Sequence, residues 1–559
     1  MAYWDTVLNS ADASLQYGKR LIPSIIDENA RSQPDRACFA ISRSEALQDG
    51  FRDVNWRTYA NAINKTAHFI HNEIGRSASF ETVMFLGYPD LRTFIVVMAL
   101  IKTGHKTLFS SYHNSLAAHT ELIRQTDCTI LLHTAGFPVC AILEANHMQS
   151  ICLPELDQML VDSPCQPYPY TKSWDKAKHD PCFIVHTSGE SGMPKPLMWT
   201  HWMLSTVDSH HLVPALDGRP TIWASVLDTR NRDFCGKPMY NGAGLGAGLM
   251  DTAFNNTTIV IGPPRPVTAE IFEGMLKHAD IDAASCLPST LEDVARKPHI
   301  LAKLKRLRFV TCIGGTLSQD AGDMISQYTV LHTLTGSSEA NIVVQHSTDR
   351  EDWPYICINP TCNGIQMRPV ASLYELVYVR DPQHIDFQGI FKLYPNLLEF
   401  STQDLYSRHP TKPHHWRHEG RKDDLILFRN GWKFCPMVHE RLIESHSMVQ
   451  YAIVVGNGKE KPAVIVQLHA QYYTENASEQ AATLDHIWPY IARANNVVET
   501  YSQLERRYVI FAKAVKPFVI LERGGVDRKA TMELYAKETE ELYANVAGGG
   551  MRGLFRTES

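Results

Sequence analysis

Short apolar runs alternate with amphipathic segments along the first 420 residues of the chain. The runs are rich in β-branched and aromatic side chains, which predicts buried strands at 83–86, 129–132, 183–186, 258–261 and 309–313. Between them, apolar residues recur at helical spacing, most clearly at 91–102 and 269–278. Such alternation is typical of α/β proteins. We therefore predict a large N-terminal domain built from layers of parallel sheets and helices.

The pattern changes near Gly420. The apolar run at 424–428 and the Arg429-Asn430-Gly431 turn predict a hairpin. Two strands at 451–455 and 463–468 follow, with helices around 484–494 and 530–546. These elements predict a smaller, mobile α+β domain. We predict an N-terminal core at 1–420, a C-terminal domain at 421–546 and a disordered tail at 547–559.

Composition narrows the possible functions. The chain of 559 residues has a formal net charge of −6, which gives no basic surface for nucleic acid. Its 12 cysteines form no CxxC pair, so we expect reduced thiols rather than a zinc site or a disulfide framework. The longest apolar run, 94–101, is too short to cross a membrane, and the N-terminus lacks the apolar core of a signal peptide. We expect a cytoplasmic protein without nucleic-acid or membrane partners.

One loop has the residue types that bind phosphate. Residues 185–196 read VHTSGESGMPKP, and they follow an apolar strand and precede a helix-like segment at 200–212. Glycines allow close backbone approach, and hydroxyls and a lysine donate to phosphate oxygens. The spacing Gly189-x-x-Gly192-x-x-Lys195 differs from that of the Walker A loop. The alternative is an ordinary turn rich in glycine and proline.

Further motifs follow in order. The loop resembles the Thr-Ser-Gly-x-Thr-Gly-x-Pro-Lys signature of the adenylate-forming superfamily, which includes acyl-CoA synthetases, luciferases and peptide-synthetase adenylation domains. Residues 334–339 (LTGSSE), 401–406 (STQDLY) and 420–424 (GRKDD) resemble three more of its motifs. The resemblance extends over about residues 21–543. It is greatest to the adenylation domain of fungal NRPS-like carboxylic acid reductases, as in the segments PYPYTKSWDKAKHDPCFIVHTSG, LIKTGHKTLFSS and NGWKFCP.

The resemblance implies an enzyme that uses ATP and Mg²⁺ to convert a carboxylic acid to an acyl-AMP. The acyl group would then pass to a phosphopantetheine thiol on a thiolation (carrier) domain, or to a free acceptor. Its implied roles place a phosphate loop at Thr187, Ser188, Gly189, Ser191, Gly192 and Lys195. They place adenine and α-phosphate contacts at Gly336, Ser337 and Ser338, ribose contacts at Asp404 and Arg421, a metal ligand at Glu339 and a hinge at Asp423.

The same resemblance places the acid pocket between three segments rich in small residues. The expected lining residues are Tyr240, Asn241, Gly242, Pro288, Gly314 and Gly315. Small residues leave room for a ring or chain. No basic residue paired with an acidic one is evident there, which favours an aryl or simple carboxylic acid over an amino acid. The glycines are equally consistent with close helix packing alone.

The sequence departs from the family pattern at several positions. Glu190 stands where a small hydroxyl residue is usual, Asn241 replaces a histidine, and Thr335 replaces an aromatic residue. Arg523 occupies the position of the catalytic lysine, with Lys516 and Lys529 nearby. Arginine keeps the charge but not the compact ammonium.

Two further hypotheses therefore accompany the reductase-like one. One is a stand-alone acyl-CoA or amide-forming ligase. The other is an impaired adenylation domain that only binds nucleotide or a partner. The sequence ends soon after the last expected adenylation helix, as either an excised domain or a stand-alone protein would.

Overall fold

The computed structural model describes residues 16–187, 193–226, 232–496, 498, 500–521 and 525–553. Three large sheets lie before residue 422 and a smaller sheet follows them. Six residues with predicted roles lie outside the described ranges: Ser188, Gly189, Glu190, Ser191, Gly192 and Arg523.

The first sheet has six strands and ends in a hairpin. In spatial order its strands are Gln149–Cys152, Ile130–His133, Thr82–Leu86, Lys106–Phe109, Pro181–Thr187 and Lys195–Thr200. All neighbours are parallel except the last pair. In that pair Thr187 lies opposite Lys195. The phosphate-loop segment therefore connects two antiparallel strands and does not lead straight into a helix, as the sequence had suggested.

The second sheet has seven strands and carries the candidate acid pocket at one edge. In spatial order they are Val330–Thr333, Phe309–Cys312, Ala283–Cys286, Arg232–Gly236, Thr258–Ile261, Ala37–Ser42 and Phe51–Asn55. The first six are parallel and the last is antiparallel. Their near-continuous apolar sequences follow from burial on both faces by helices.

The third sheet is antiparallel throughout. Its strands are Gln345–His346, Tyr355–Ile358, His415–Arg421, Glu399–Arg408, Leu373–Val379 and Ile365–Val370. A small hairpin, Gly336–Ser337 with Asn341–Ile342, precedes it. This sheet carries the Asp404 motif on one strand and Arg421 at the end of its neighbour.

Helices surround these sheets. The α-helices before residue 422 are Ile22–Ser32, Trp56–Ile74, Arg92–Thr103, Leu116–Gln125, Cys140–Ala145, Leu156–Met159, Trp174–Ala177, His201–Asp208, Gly242–Leu245, Thr252–Phe254, Ala269–His278, Pro288–Ala295, Pro298–Leu301, Gln319–Ser326 and Ile390–Leu393. Two π-helical segments, Ile222–Val226 and Gly246–Asp251, also occur. Several helices begin where the sequence supplies an N-cap, as Thr200 does by accepting a hydrogen bond from the Met203 N–H.

The C-terminal part forms a separate domain with its own apolar cores. A hairpin (Ile426–Leu427, Lys433–Phe434) precedes a sheet of Val449–Val455, Ala463–Leu468 and Val509–Phe511. Its helices are Met437–Glu444, Ala477–Asn495, Arg528–Leu534 and Ala536–Gly553. Both of its buried clusters are made of residues from 426 onward. The mixed α/β fold with a separate C-terminal domain is thus confirmed, while the boundary at residue 420 stays a prediction.

Two C-terminal expectations need correction. The helix predicted at 530–546 is two helices, which meet at Tyr535. The Tyr535 side chain is fully buried and its hydroxyl accepts a hydrogen bond from Lys513 N, so tertiary anchoring interrupts the helical pattern. The last helix also continues to Gly553, past residue 546, because an established helix extends at little cost per residue.

No helix among the described residues is both long and apolar enough to span a bilayer.

Glu444 is a half-buried carboxyl at the end of the helix Met437–Glu444. Its Oε1 accepts a hydrogen bond from Ala452 N at 3.0 Å. Burial raises the pKa of Glu444 to about 8, and the neighbouring Glu440 and Glu292 add to this against the effect of the backbone N–H. The glutamate is therefore largely protonated in the folded protein at neutral pH.

We expect Glu444→Gln to stabilise the protein at high pH only. A carboxyl whose pKa rises on folding binds more protons in the folded state, so its contribution to stability falls as pH rises from about 4.5 to 8. Glutamine stays neutral and can still accept the Ala452 hydrogen bond. The melting temperature should match wild type near pH 5 and exceed it by about 2 °C at pH 8.5. The exposed Glu541→Gln is the control, and equal melting at pH 8.5 would contradict the prediction.

Candidate functional site

A single cleft of about 2330 Å³ collects most of the residues that the sequence singled out. It is bounded by the edges of the second and third sheets and by the C-terminal domain. Residues of all four motifs line it: Thr187, Lys195, Gly336, Ser337, Ser338, Glu339, Asp404, Arg421 and Asp423. Motifs more than 200 residues apart in the chain therefore meet around one space.

The small hairpin at 336–342 forms part of the cleft wall. Gly336 and Ser337 pair with Ile342 and Asn341. A β-carbon on Gly336 would lie 2.6 Å from the Asn341 carbonyl oxygen, so only glycine permits this approach. The turn of this hairpin is anchored to the core, because buried Trp199 donates a hydrogen bond from Nε1 to the Ser338 carbonyl at 2.9 Å. Sequence reasoning missed Trp199, because residues 197–199 are all apolar and show none of the alternation that marks a half-buried strand.

Asp404 lies within a polar chain that crosses the third sheet. It is opposite Arg421 in the strand register, with Arg421 Nη1 3.6 Å from Asp404 Oδ1. His418 Nε2 is 3.9 Å from the same oxygen, and His418 Nδ1 is hydrogen-bonded to Thr316 Oγ1 at 2.9 Å. The Asp404 carboxylate is one-third exposed to the cleft. The Asp404 carboxylate thus lies beside Arg421 and His418, and it can still accept hydrogen bonds from a ligand in the cleft.

Arg421 also connects the sheet to the segment at 422–424. Its Nε and Nη2 donate to the two oxygens of Asp423, both at 2.9 Å. This two-point ion pair spans the short 3₁₀ turn Lys422–Asp424, where the third sheet ends and the C-terminal domain begins. Asp423 therefore lies at the junction where a hinge was predicted.

Lys195 lies at the first position of its strand and opposite Thr187. Its Nζ is 5.4 Å from the centre of the Tyr394 ring, which is a favourable distance for a cation–π contact. Both Lys195 and Thr187 line the cleft at the two ends of the segment 188–194. Thr187 and Lys195 therefore line the same space as Glu339 and Asp404.

Glu339 is a half-buried carboxylate on the same wall. Burial raises the pKa of the nearby Tyr378 hydroxyl, and the charges of Asp404 and Glu339 add to that shift. The described residues contain no group of three or more His, Cys, Asp or Glu side chains arranged around a metal position. A single carboxylate suits a cation that takes its other ligands from phosphate and water, as Mg²⁺ does.

The C-terminal domain contributes an arginine to the cleft. Arg528 donates from Nη1 to Glu440 Oε1 at 2.6 Å and from Nη2 to the Val454 carbonyl at 2.8 Å. Leu521 and Gly525, on either side of the Arg523 segment, also line the cleft. Lys516, in contrast, is held by both oxygens of Glu538 at 2.8 Å and does not line the cleft. Its ammonium is therefore engaged within the C-terminal domain.

The expected acid pocket forms the inner part of the cleft, with one exception. Asn241, Gly242, Pro288, Gly314 and Gly315 all line it. Tyr240 does not: its ring packs edge-on against Tyr112 at 5.0 Å and borders a separate small cavity. Packing against Tyr112 therefore separates Tyr240 from the pocket. Asn241 caps that helix by accepting a hydrogen bond from Gly244 N at 3.0 Å.

Two charged residues at the inner end were missed. Lys237 and Asp251 both line the cleft, and no sequence pattern indicated that they lie together. They are 14 positions apart and belong to a strand end and a π-helical segment.

Comparison with known proteins agrees with this geometry. Residues 26–373 match the family model described as AMP-binding enzyme, and residues 423–547 match the AMP-binding enzyme C-terminal domain. The chain is 32% identical to an isocyanide synthase–NRPS hybrid, crmA, of Aspergillus fumigatus and 30% identical to a carboxylic acid reductase of Neurospora crassa. These alignments cover 96% and 95% of this chain but only 34% and 51% of the relatives. The chain thus spans about a third to a half of the length of these relatives.

Solved structures share the fold at low sequence identity. A benzoate CoA ligase from Burkholderia xenovorans superimposes with a TM-score of 0.68 at 13% identity, over 91% of this chain and 99% of the ligase. An amide bond synthetase from Marinactinospora thermotolerans gives 0.68 at 15% identity, over 92% and 99%. Because the family model for AMP-binding enzymes matches more than half of the sequence and the fold agrees, the chain belongs to the AMP-binding family of adenylate-forming enzymes.

Proposed function

We propose that this protein is an acid–AMP ligase, which uses ATP to activate an aryl or simple carboxylic acid. The acyl group then passes to a phosphopantetheine thiol on a carrier domain. The observation that supports this most is the convergence of Lys195, Glu339, Asp404 and Arg421 on one cleft beside a pocket of small residues. The similarity to fungal reductases and to an NRPS hybrid supports the carrier domain as acceptor.

The chemistry has two steps. In the first, a carboxylate oxygen attacks the α-phosphorus, a C(O)O–P bond forms, the bond between the α- and β-phosphates breaks and pyrophosphate leaves. In the second, the thiol sulfur attacks the acyl carbon, the thioester forms, AMP leaves and the thiol proton passes to solvent. Both steps bring anions together, so the site must neutralise charge and hold the reactants in line.

Each cleft residue has a place in this scheme. Lys195 and Thr187, with the intervening hydroxyls and glycines of the loop, bind the β- and γ-phosphates. Gly336, Ser337 and Ser338 line adenine and the α-phosphate, and Glu339 holds Mg²⁺, which offsets phosphate charge when bound. Asp404 accepts hydrogen bonds from the ribose hydroxyls beside Arg421. Arg523 supplies the cation between carboxylate and α-phosphate, and the C-terminal domain rotates at Asp423.

Pyrophosphate release tests this proposal. Purified protein is incubated with ATP, Mg²⁺ and a panel of aryl, alkyl and amino acids, and release is measured against a control without acid. We expect acid-dependent release with at least one aryl or alkyl acid. Tight ATP binding without release for any acid would instead support a domain that only binds nucleotide.

Gly336→Ala provides a test of the adenine wall. The new β-carbon would lie 2.6 Å from the Asn341 carbonyl and force the hairpin apart. We expect ATP and AMP affinities to fall together by roughly tenfold, since a shift of this size costs about 1–2 kcal/mol. Gly262→Ala, which lies outside the cleft lining and whose new β-carbon makes only ordinary contacts at 3.4 Å or more, is the matched control. Unchanged AMP affinity in calorimetry would count against the hairpin as a nucleotide contact.

A further inference from the structure

Lys237 places a cation at the inner end of the cleft. It directly follows the strand Arg232–Gly236, whose last residue pairs with Cys286 of the neighbouring parallel strand. Leu287 and Ile313 leave the adjacent strands at the same edge, and both line the cleft with Lys237. The carboxyl ends of parallel strands are where ligands bind in open α/β sheets. Lys237 is therefore on the ligand side of the sheet.

The Lys237 ammonium has no protein partner in the described part of the chain. None of the hydrogen bonds among the described residues involves its Nζ, and no described carboxylate oxygen lies within 4.0 Å of it. Taking a charge out of water without a partner is costly, so such a group is normally paired. An ammonium that lines a cleft and lacks a partner is available to an anion from the ligand.

Two carboxyls near Lys237 are already engaged elsewhere. Asp251 accepts a hydrogen bond from Trp223 Nε1 at 2.7 Å, and Asp233 accepts one from Ser285 Oγ at 2.8 Å. Burial raises the pKa of Asp251 to about 7 and that of Asp233 to about 6. Burial lowers the pKa of Lys237, but nearby groups that include both carboxyls reverse this, so the pKa is raised overall. The negative charge of these carboxyls therefore helps to keep the ammonium charged, although neither carboxylate lies within ion-pair distance of it.

The local backbone at this end is unusual. Trp223 and Asp251 belong to the two π-helical segments, Ile222–Val226 and Gly246–Asp251. Such segments account for well under 1% of residues and are frequent at functional sites. Here they bring Trp223, Asp251 and the small residues Gly246 and Ala247 to the cleft wall.

We propose that the acid pocket selects carboxylic acids that carry a second carboxylate at the end remote from the reacting one, with Lys237 as its partner. This inference rests on the proposed acid-activating function and narrows its substrate class. A cationic end is disfavoured by the same geometry. The ammonium is the group that lacks a partner, whereas Asp251 is already hydrogen-bonded and Asp233 is fully buried and does not line the cleft.

The test compares acids matched in length. Pyrophosphate release is measured with adipate against hexanoate, and with terephthalate against 4-methylbenzoate, for wild type and Lys237→Met. We expect kcat/KM of the wild type to be at least tenfold higher for each diacid than for its matched monoacid. Lys237→Met, which keeps the length of the side chain without its charge, should lower that ratio at least tenfold. Lys305→Met, an exposed lysine outside the cleft, should leave the ratio unchanged.

Several outcomes would overturn the assignment. One is a wild type with the higher kcat/KM for the monoacids, and another is a Lys237→Met variant that lowers kcat/KM equally for diacids and monoacids. Either result would leave Lys237 with a structural role only. A preference for 6-aminohexanoate that is lost in Asp251→Asn would assign the pocket to a cation. If Lys237→Met does not fold, the double variant Lys237→Met/Asp251→Asn, which also removes the charge of the nearby buried carboxyl, replaces the single variant in this test.

Failure of the proposed function is separable from failure of this inference. Turnover of monoacids but not diacids would overturn the inference alone. If no acid is turned over, adenylation fails, and calorimetry with adipate then decides the role of Lys237. Adipate binding that is lost in Lys237→Met supports the site, and equal or absent binding in both proteins overturns it.

Discussion

Asp404→Ala should weaken the binding of ATP and of AMP by the same factor, roughly 10- to 150-fold. A charged acceptor that bonds ribose hydroxyls is worth about 1.5–3 kcal/mol, and the ribose is common to both nucleotides. In the structure the carboxylate faces the cleft from the middle of its strand, with Arg421 and His418 beside it. Affinity for the acid should change far less, because the acid pocket lies at another end of the cleft. Isothermal titration with AMP, ATP and an acid measures all three.

The control for this prediction is Asp175→Ala, a surface carboxylate that is 87% exposed and outside the cleft. Its nucleotide affinities should equal those of the wild type. If Asp404→Ala lost ATP affinity but kept AMP affinity, Asp404 would contact the phosphates rather than the ribose. Equal loss of nucleotide and acid affinity would indicate that the third sheet is disturbed as a whole.

Much of the fold could be predicted because its strands are buried and locally distinctive. The strand Thr258–Ile261, the helix Ala269–His278 and the strand Ala463–Leu468 have the bounds that the pattern indicates. Tyr535 shows where a local pattern fails. Its helical spacing is regular, yet the contacts of its hydroxyl with the segment at 513–516 end one helix and begin another.

The residues of the site were likewise only partly predictable from the sequence. Resemblance located Glu339, Asp404 and Arg421, but only the fold could show that they face one cleft. Trp199, His418 and Arg528 were missed because each acts through a partner that is distant in sequence. Lys237 and Asp251 were missed for a further reason: a lone charge in an apolar stretch is normally interpreted as a surface residue. Their importance depends on burial, which periodicity alone does not reveal.

Lys195→Ala should produce the opposite nucleotide profile to Asp404→Ala. Lys195 is expected to contact the β- and γ-phosphates, which AMP lacks, so ATP affinity should fall while AMP affinity stays unchanged. Its ammonium is held over the Tyr394 ring at the start of a strand, so the cation is positioned before nucleotide arrives. A positioned donor that meets charge developing on a leaving group is worth about 10²–10³ in rate. We therefore expect pyrophosphate release to slow by about that factor.

Two further variants make the assignment of Lys195 testable. Lys195→Arg keeps the charge but replaces a compact ammonium by a planar group, and it should recover part of the ATP affinity. Tyr394→Leu removes the ring beneath the ammonium while leaving the ammonium in place. It should weaken ATP binding only mildly, since an exposed cation–π contact is worth about 0.5–1 kcal/mol. If Lys195→Ala weakened AMP as much as ATP, the lysine would belong to the nucleoside end of the cleft. The segment at 188–192 would then lose its assignment as the phosphate loop, because Lys195 belongs to the same motif.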